Sequence, residues 1–230
     1  FKNGSNVENE TLNDVELGWR FNNEAISLNT NFYYMLYKNQ LIQTGGLNDV
    51  GEYLRENVED SYRLGIEIDA SIKLSNKLSI SPNFTLSSNK IKNFILERDG
   101  NTTNIGTTNI AFSPNIIGGN SISYQPYKNL NINFLSKFVS EQYLSNTDTE
   151  ASKLDSYFTS DLNLTYTINP TSIFKSIVFS GLINNIFNKE YVDRGYTYLD
   201  YWSTPGNSFE IQGYYPQATR NFLVGATFKF

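Results

Sequence analysis

The final ten residues, Asn221 to Phe230, alternate without a miss. Phe222, Val224, Ala226, Phe228 and Phe230 fall on one side; Asn221, Leu223, Gly225, Thr227 and Lys229 fall on the other. A period of two sends successive side chains to opposite faces of a β-strand. One face is therefore apolar and the other mostly polar or small, and the sequence ends on an aromatic residue. A lipid-facing barrel strand uses such an apolar face throughout its length, whereas a strand in water gains little from it.

The same alternation recurs upstream. Leu64, Ile66, Ile68, Ala70, Ile72 and Leu74 oppose Arg63, Gly65, Glu67, Asp69, Ser71 and Lys73. Leu78, Ile80, Pro82, Phe84 and Leu86 oppose Ser79, Ser81, Asn83, Thr85 and Ser87. The pattern predicts nine strands, at about 13–21, 25–43, 61–75, 78–96, 107–124, 129–146, 154–169, 173–189 and 218–230. Several exceed the ~9–11 residues that a tilted strand needs to cross hydrocarbon, so they project beyond it. The connections alternate between short and longer: 22–24, 76–77, 125–128 and 170–172 against 44–60, 97–106, 147–153 and 190–217. All short turns then lie at one end of the sheet, the asymmetry of outer-membrane barrels with short periplasmic turns and long external loops. An odd strand number calls for at least one further strand upstream, because bacterial single-chain barrels have an even count. The expected fold is all-β: a transmembrane antiparallel β-barrel, of which residues 1–230 form the C-terminal portion.

Composition excludes other classes. Aromatics reach 15%, nearly all as 16 Tyr and 16 Phe, yet mean hydropathy is −0.40. The chain is therefore polar on average and aromatic in bands. No apolar run approaches the roughly 20 residues of a membrane-spanning helix. With no Cys and no His, disulfide frameworks, Cys or His metal sites and His-based triads are absent. A net charge of −5 argues against nucleic acid as a partner. The sequence calls for no cofactor and no catalytic residue. The lack of an initiator Met, with a polar opening from Phe1 to Asn13, reads as a piece of something longer.

Two groups of residues stand out as candidate sites. On the polar face, Arg63, Glu67, Asp69 and Lys73 form a charged series that would solvate a lumen or meet a plug. The last long connection is crowded with aromatics. Within it, Arg194, Tyr196, Tyr198, Tyr201, Trp202, Tyr214 and Tyr215 are candidate ligand-binding residues, since Tyr and Trp offer large rigid contact area with a polar handle.

Two C-terminal segments resemble a known family. Phe179-Ser-Gly-Leu-Ile-Asn-Asn-Ile-Phe-Asn-Lys-Glu-Tyr191 is similar to the next-to-last strand of TonB-dependent outer-membrane receptors. Tyr215-Pro-Gln-Ala-Thr-Arg-Asn-Phe-Leu-Val-Gly-Ala-Thr-Phe-Lys-Phe230 is similar to their last strand, although Ala218-Thr219 precede Arg220 where a Gly is usual. Glu16-Leu-Gly18 and Tyr62-Arg-Leu-Gly-Ile-Glu67 resemble the family's barrel repeats. The resemblance implies a barrel of about 22 strands whose last nine are present here. It implies residence in the outer membrane of a Gram-negative bacterium, and the Asn-, Ile-, Lys- and Ser-rich composition points toward Bacteroidota. It implies import of a scarce, bulky ligand such as a ferric siderophore, with a plug domain of the same protein and energy supplied through TonB. It also implies that the terminal strand, with Phe228 and Phe230, is read by the barrel-assembly machinery. A surface lipoprotein or another protein partner is compatible with the long loops. The alternative is a passive porin, or an anchor or adhesin barrel whose loops bind a protein. An upstream plug of about 120–150 residues would separate the two.

Overall fold

A computed structural model describes residues 7–47, 50–99, 101–170, 173–200 and 209–230. Its strands are β1 (Thr11–Asn22), β2 (Ile26–Leu47), β3 (Tyr53–Ser75), β4 (Leu78–Arg98), β5 (Asn101–Asn109), β6 (Ile116–Tyr127) and β7 (Leu130–Val139). Then follow β8 (Gln142–Tyr143), β9 (Lys153–Leu154), β10 (Tyr157–Ile168), β11 (Ser176–Asn184), β12 (Val192–Asp200), β13 (Phe209–Pro216) and β14 (Asn221–Lys229). The main antiparallel sheet runs β1-β2-β3-β4-β6-β7-β10-β11-β14, nine strands in chain order as expected. No helix among the described residues is long and apolar enough to cross a membrane. The sheet is open, with β1 and β14 at its edges. In hydrocarbon an unpaired edge would strand backbone N–H and C=O groups at several kcal/mol each, so this sheet fits an arc of a closed barrel.

Where the strands differ from expectation, the cause is local. The connection expected at 97–106 is largely strand, since β4 runs to Arg98 and β5 starts at Asn101, and the strand expected at 107–124 is broken after Asn109 and resumes as β6 at Ile116; β5 pairs the outer half of β4, and β6 pairs the inner half. Between them lies Pro114, which lacks an N–H to donate to a ladder. The 44–60 loop contracts, because β2 and β3 continue as a ribbon to Leu47 and Tyr53. Strand β7 ends at Val139 rather than 146, and β11 ends at Asn184 rather than 189. The 190–217 connection is not simply a loop, since β12 and β13 pair within it.

Registers bear out the face assignment. Ile66 pairs with Phe32 and Leu86, and Ile72 with Ile26 and Ile80, on the apolar face. Glu67 pairs with Asn31 and Thr85, and Asp69 with Asn29 and Asn83, on the polar face. The apolar face of β3 runs from Ile72 up to Tyr62, which packs against Tyr34 at 6.5 Å between ring centroids and carries the Lys92 ammonium 5.7 Å above its ring. At ~3.3 Å per residue and ~45° tilt, that stretch spans about 23 Å, close to the ~25 Å apolar band of outer-membrane barrels. Just beyond it Lys38 meets Asp60 at 2.5 Å.

Above this level the faces exchange. Simple alternation would put Gln40 and Ile42 outside with Leu36 and Lys38. Instead Gln40 Oε1 accepts from the inner-face Ser61 hydroxyl (2.5 Å), and Ile42 joins Val58, Ile91, Phe94 and Ile110 in a buried cluster. Asn39 (φ 55°) and Asn93 (φ 50°) sit at the change-over. A left-handed residue reorients the strand beyond it, and Asn tolerates that conformation better than most residues. Below the change-over the apolar side faces lipid; above it the apolar side turns inward, as it must in water.

The sheet's final seam is fastened by Asn185, φ 50° and 4% exposed, one residue past β11. Its amide donates to the Lys189 and Ala218 carbonyls (2.7 and 3.3 Å) and accepts from the Lys189 N–H (2.9 Å), while its own N–H donates to Asp161 Oδ1 (2.7 Å). Asn188 Oδ1 accepts the Arg220 N–H at 3.0 Å. These contacts position the start of β14.

The face assignment has a direct consequence. Ile68 lies midway up the lipid face, where an Arg costs about 2–4 kcal/mol, whereas a lumen substitution costs far less. Ile68→Arg is expected to abolish the folded, heat-modifiable barrel in outer-membrane fractions, and Ser71→Arg to retain it.

Candidate ligand mouth

Beyond the face change-over, the outer ends of the strands pack into one body. Its core is the Ile42, Val58, Ile91, Phe94 and Ile110 cluster. The turn after β8 is bonded across it. Asn146 donates to the Gln43 carbonyl (3.0 Å) and accepts from the Ala111 N–H (2.8 Å). Asp148 accepts from the Asn109 N–H (2.9 and 3.0 Å) and side-chain amide (2.9 Å). The β12–β13 hairpin then docks on this turn. Glu210 accepts from Thr149 Oγ1 (3.0 Å) and Thr197 Oγ1 (2.8 Å), and the Tyr214 hydroxyl donates to the Ala151 carbonyl (3.1 Å). Leu199, 7% exposed, points at Gly45 of β2. The hairpin, rooted between β11 and β14, thus reaches back over the inner face to β2.

The hairpin separates the expected ligand residues by face. Tyr214 lies on the docked side. Tyr196, Tyr198 and Tyr215 share the other side: the Tyr196 and Tyr198 rings are 6.3 Å apart and 11° from parallel, and Tyr215 stands 6.0 Å from Tyr196 at 55°. The Tyr196 ring lies over Gly213, where an added Cβ would run into it. Tyr53, which sequence reasoning did not select, belongs with them: its phenol is held above the ordinary value of 10.0, first by burial and then by Tyr215, Tyr196 and Tyr198. Arg194 projects to solvent beside Asp193 (3.6 Å). Tyr201 and Trp202 lie outside the described residues.

Two spaces adjoin the hairpin. A cavity of about 60 Å³ between Tyr53, Phe94, Leu144, Asn146, Tyr198 and Leu199 is far below the ~300–1,000 Å³ of ligand sites. It is a packing void. An open groove of about 620 Å³ beside Lys153, Lys189, Glu190, Tyr191 and Tyr214 is of ligand size. Lower down, Arg63 and Glu67 line an inner-face groove of about 360 Å³ with Glu16, Asn31, Tyr33 and Asn89. There Arg63 donates to Asn89 (3.4 Å) and Ser113 (3.0 Å) rather than forming a ladder with Glu67. Asp69 and Lys73 continue the same inner face by register, opposite Asn83 and Ser79. No cluster of three or more His, Cys, Asp or Glu able to hold a metal occurs among the described residues.

Comparison with known proteins gives this arrangement its family. The TonB dependent receptor-like β-barrel family matches residues 1–186. The chain belongs to this family. Barrels of the family reside in the Gram-negative outer membrane, and the family is one of transport receptors. Among solved structures, the siderophore receptor PiuA from Acinetobacter baumannii superposes with a TM-score of 0.68 at 17% identity, over 94% of this chain and 28% of that one. The ferric yersiniabactin uptake receptor FyuA from Yersinia pestis gives 0.67 at 18%, over 94% and 29%. The copper transporter OprC gives 0.67 at 16%, over 99% and 33%. The chain thus spans about a third or less of these receptors' length. No curated protein matches it in sequence. At such identities the likeness shows the fold alone.

The hairpin's docking rests on Glu210. Glu210→Ala removes the shared acceptor of two hydroxyls, a loss of about 1–3 kcal/mol for partly buried groups. Hydrogen exchange should quicken in 192–200 and 209–216 and stay unchanged in β2 below Lys38.

Proposed function

We propose that the chain forms the C-terminal part of the barrel of an outer-membrane import receptor, which takes up a scarce, bulky ligand with energy supplied through TonB. Family membership carries the reading. The open sheet supports it, as does the polar inner face, which offers a plug domain of the same protein Arg63, Glu67, Asp69 and Lys73. The solved receptors of like fold are described as handling siderophores, ferric complexes or copper, so a ferric siderophore or similar metal chelate is the first ligand class to test. Tyr196, Tyr198, Tyr215 and Arg194, with Tyr214 at the neighbouring groove, would meet the ligand from outside; Tyr201 and Trp202 are proposed from sequence only. No bond in the ligand is made or broken in this scheme.

The terminal strand has a second proposed role, recognition by the barrel-assembly machinery. Phe228 and Phe230 pack on Phe174 at 5.3 and 5.0 Å yet remain 51% and 74% exposed. Loss of folded barrel on deleting Phe230 is its readout.

Energised import distinguishes the receptor from a porin or an adhesin. In cells carrying the whole protein, ligand accumulation is expected to stop when TonB is deleted or the proton gradient is collapsed, with surface binding retained. Accumulation that continues unchanged would assign the barrel to passive diffusion.

A further inference from the structure

Strand β4 changes partner at the top of the lipid face. Its ladder with β6 runs up to Leu86, opposite Ile116, and its ladder with β5 begins at Lys90, opposite Asn109. Between the two, residues 110–115 leave the sheet. The Lys90–Asn109 pair is therefore the root of the β4–β5 ribbon, next to Tyr62 of β3, which stands opposite Lys90 on its other side. The residues beside the pair are packed: Ile91 is 0% and Thr108 2% exposed. The backbone that carries Lys90 and Asn109 is held on both strands.

The side chains at this root are arranged in a line. Lys90 Nζ donates to Asn109 Oδ1 at 2.7 Å, and the other end of the same amide, Nδ2, donates to Asp148 Oδ2 at 2.9 Å. Turning the amide over would set its NH2 group against the ammonium, donor to donor. The lysine therefore lies on the carbonyl side and the carboxylate on the amine side. Asp148 comes from the turn after β8 with φ 54°, a left-handed conformation that Asp tolerates. Its carboxylate is anchored by the Asn109 backbone N–H at 2.9 and 3.0 Å. All three side chains are half-buried. Lys38 and Lys153 have carboxylate partners, whereas among the described residues Lys90 meets no carboxylate and Asp148 no cation. An amine, an amide carbon and a carboxylate on the departing nitrogen are the groups that transamidation requires.

We propose that Lys90 and Asn109 join through an intramolecular isopeptide bond, with Asp148 carrying the protons. An amine attacks only as the free base, so Nζ first gives up a proton to the carboxylate. The Nζ lone pair then forms a bond to Asn109 Cγ, and the Cγ–Nδ2 bond breaks. Two of the three Nζ protons end on the departing nitrogen by way of Asp148. The ammonium of Lys90 and the amide of Asn109 thus become a secondary amide and one ammonium ion, and Asp148 begins and ends as a carboxylate. Nothing is oxidised or reduced, and no co-reactant is needed. Holding the reacting groups together in one register replaces a chance encounter, the usual source of intramolecular rate. The bond closes residues 90–109 into a ring at the point where β4 leaves β6, and a closed ring restricts the unfolded chain as other cross-links do.

Peptide mass mapping of the purified, folded whole protein tests this. Trypsin cuts after an unmodified Lys90 and releases residues 78–90 and 99–128 as separate peptides. With the bond formed, cleavage after Lys90 is blocked, and residues 78–92 are expected joined to 99–128 at the summed mass less one ammonia. Lys90→Arg and Asn109→Ala are expected to give only separate peptides. Asp148→Asn keeps the shape of the side chain and removes the proton carrier, so the linked fraction should fall about tenfold or more after equal times. Heat-modifiability reports the folding of every variant. Free 78–90 as the sole product from folded wild-type protein would overturn the proposal, as would an ammonia loss that maps to another Asn or Gln. Linkage undiminished in Asp148→Asn would overturn it too, since the step as written runs through that carboxylate.

Discussion

Backbone hydrogen bonding in hydrocarbon governs the rest of this structure. With no water to accept a stray N–H, a strand inside the bilayer must be paired on both edges. Nine strands therefore join in unbroken sequential order, and the irregular backbone occurs elsewhere. The breaks fall beyond the lipid: Asn39 and Asn93 at the upper boundary, the bulge near Gly45, and the Ile110–Asn115 interruption between β5 and β6. The same rule explains why Asn185 is so fully engaged, since it secures the last strand to its neighbours at the point where the chain returns from its longest excursion.

The exchange of faces at Asn39 and Asn93 divides the chain into two solvents. Below, Phe32, Ile66 and Leu86 face outward and Glu67 and Asn31 inward. Above, Ile42, Val58 and Phe94 turn in to make a small core of the kind found in water. That core gives the outer ends a fixed framework, on which the β12–β13 hairpin is held by Glu210 and Tyr214. The hairpin thus stands on a packed base rather than on free loops, a condition for holding side chains in a set geometry.

Much of this was legible in the sequence. Period-two alternation identified nine strands, their order and their faces, because lipid on one side and an aqueous lumen on the other impose opposite polarity on neighbouring residues. The errors share a cause: alternation stops being informative where the environment changes. Residues 44–60 read as a loop because the phase reverses at Asn39 and two glycines follow at Gly45-Gly46. Residues 107–124 read as one strand because periodicity does not show that β4 changes partner. The Tyr196, Tyr198 and Tyr215 grouping was suggested by composition, but Tyr53 and Glu210 were not, since their partners lie far off in sequence. The alternation of Gly195, Thr197 and Leu199 with Tyr196 and Tyr198 was the available signal for a hairpin in that connection.

The change-over at Asn39 is the feature on which the membrane placement depends, and spin labels placed singly along β2 from Leu28 to Ile42 measure it. In the whole barrel in bilayers, accessibility to oxygen should peak at residues 28, 30, 32, 34 and 36. Beyond Lys38 the even positions 40 and 42 should instead become immobile and inaccessible to oxygen and to water-soluble relaxants alike. Oxygen maxima that continued on the even positions through Ile42, or that never alternated, would contradict the account.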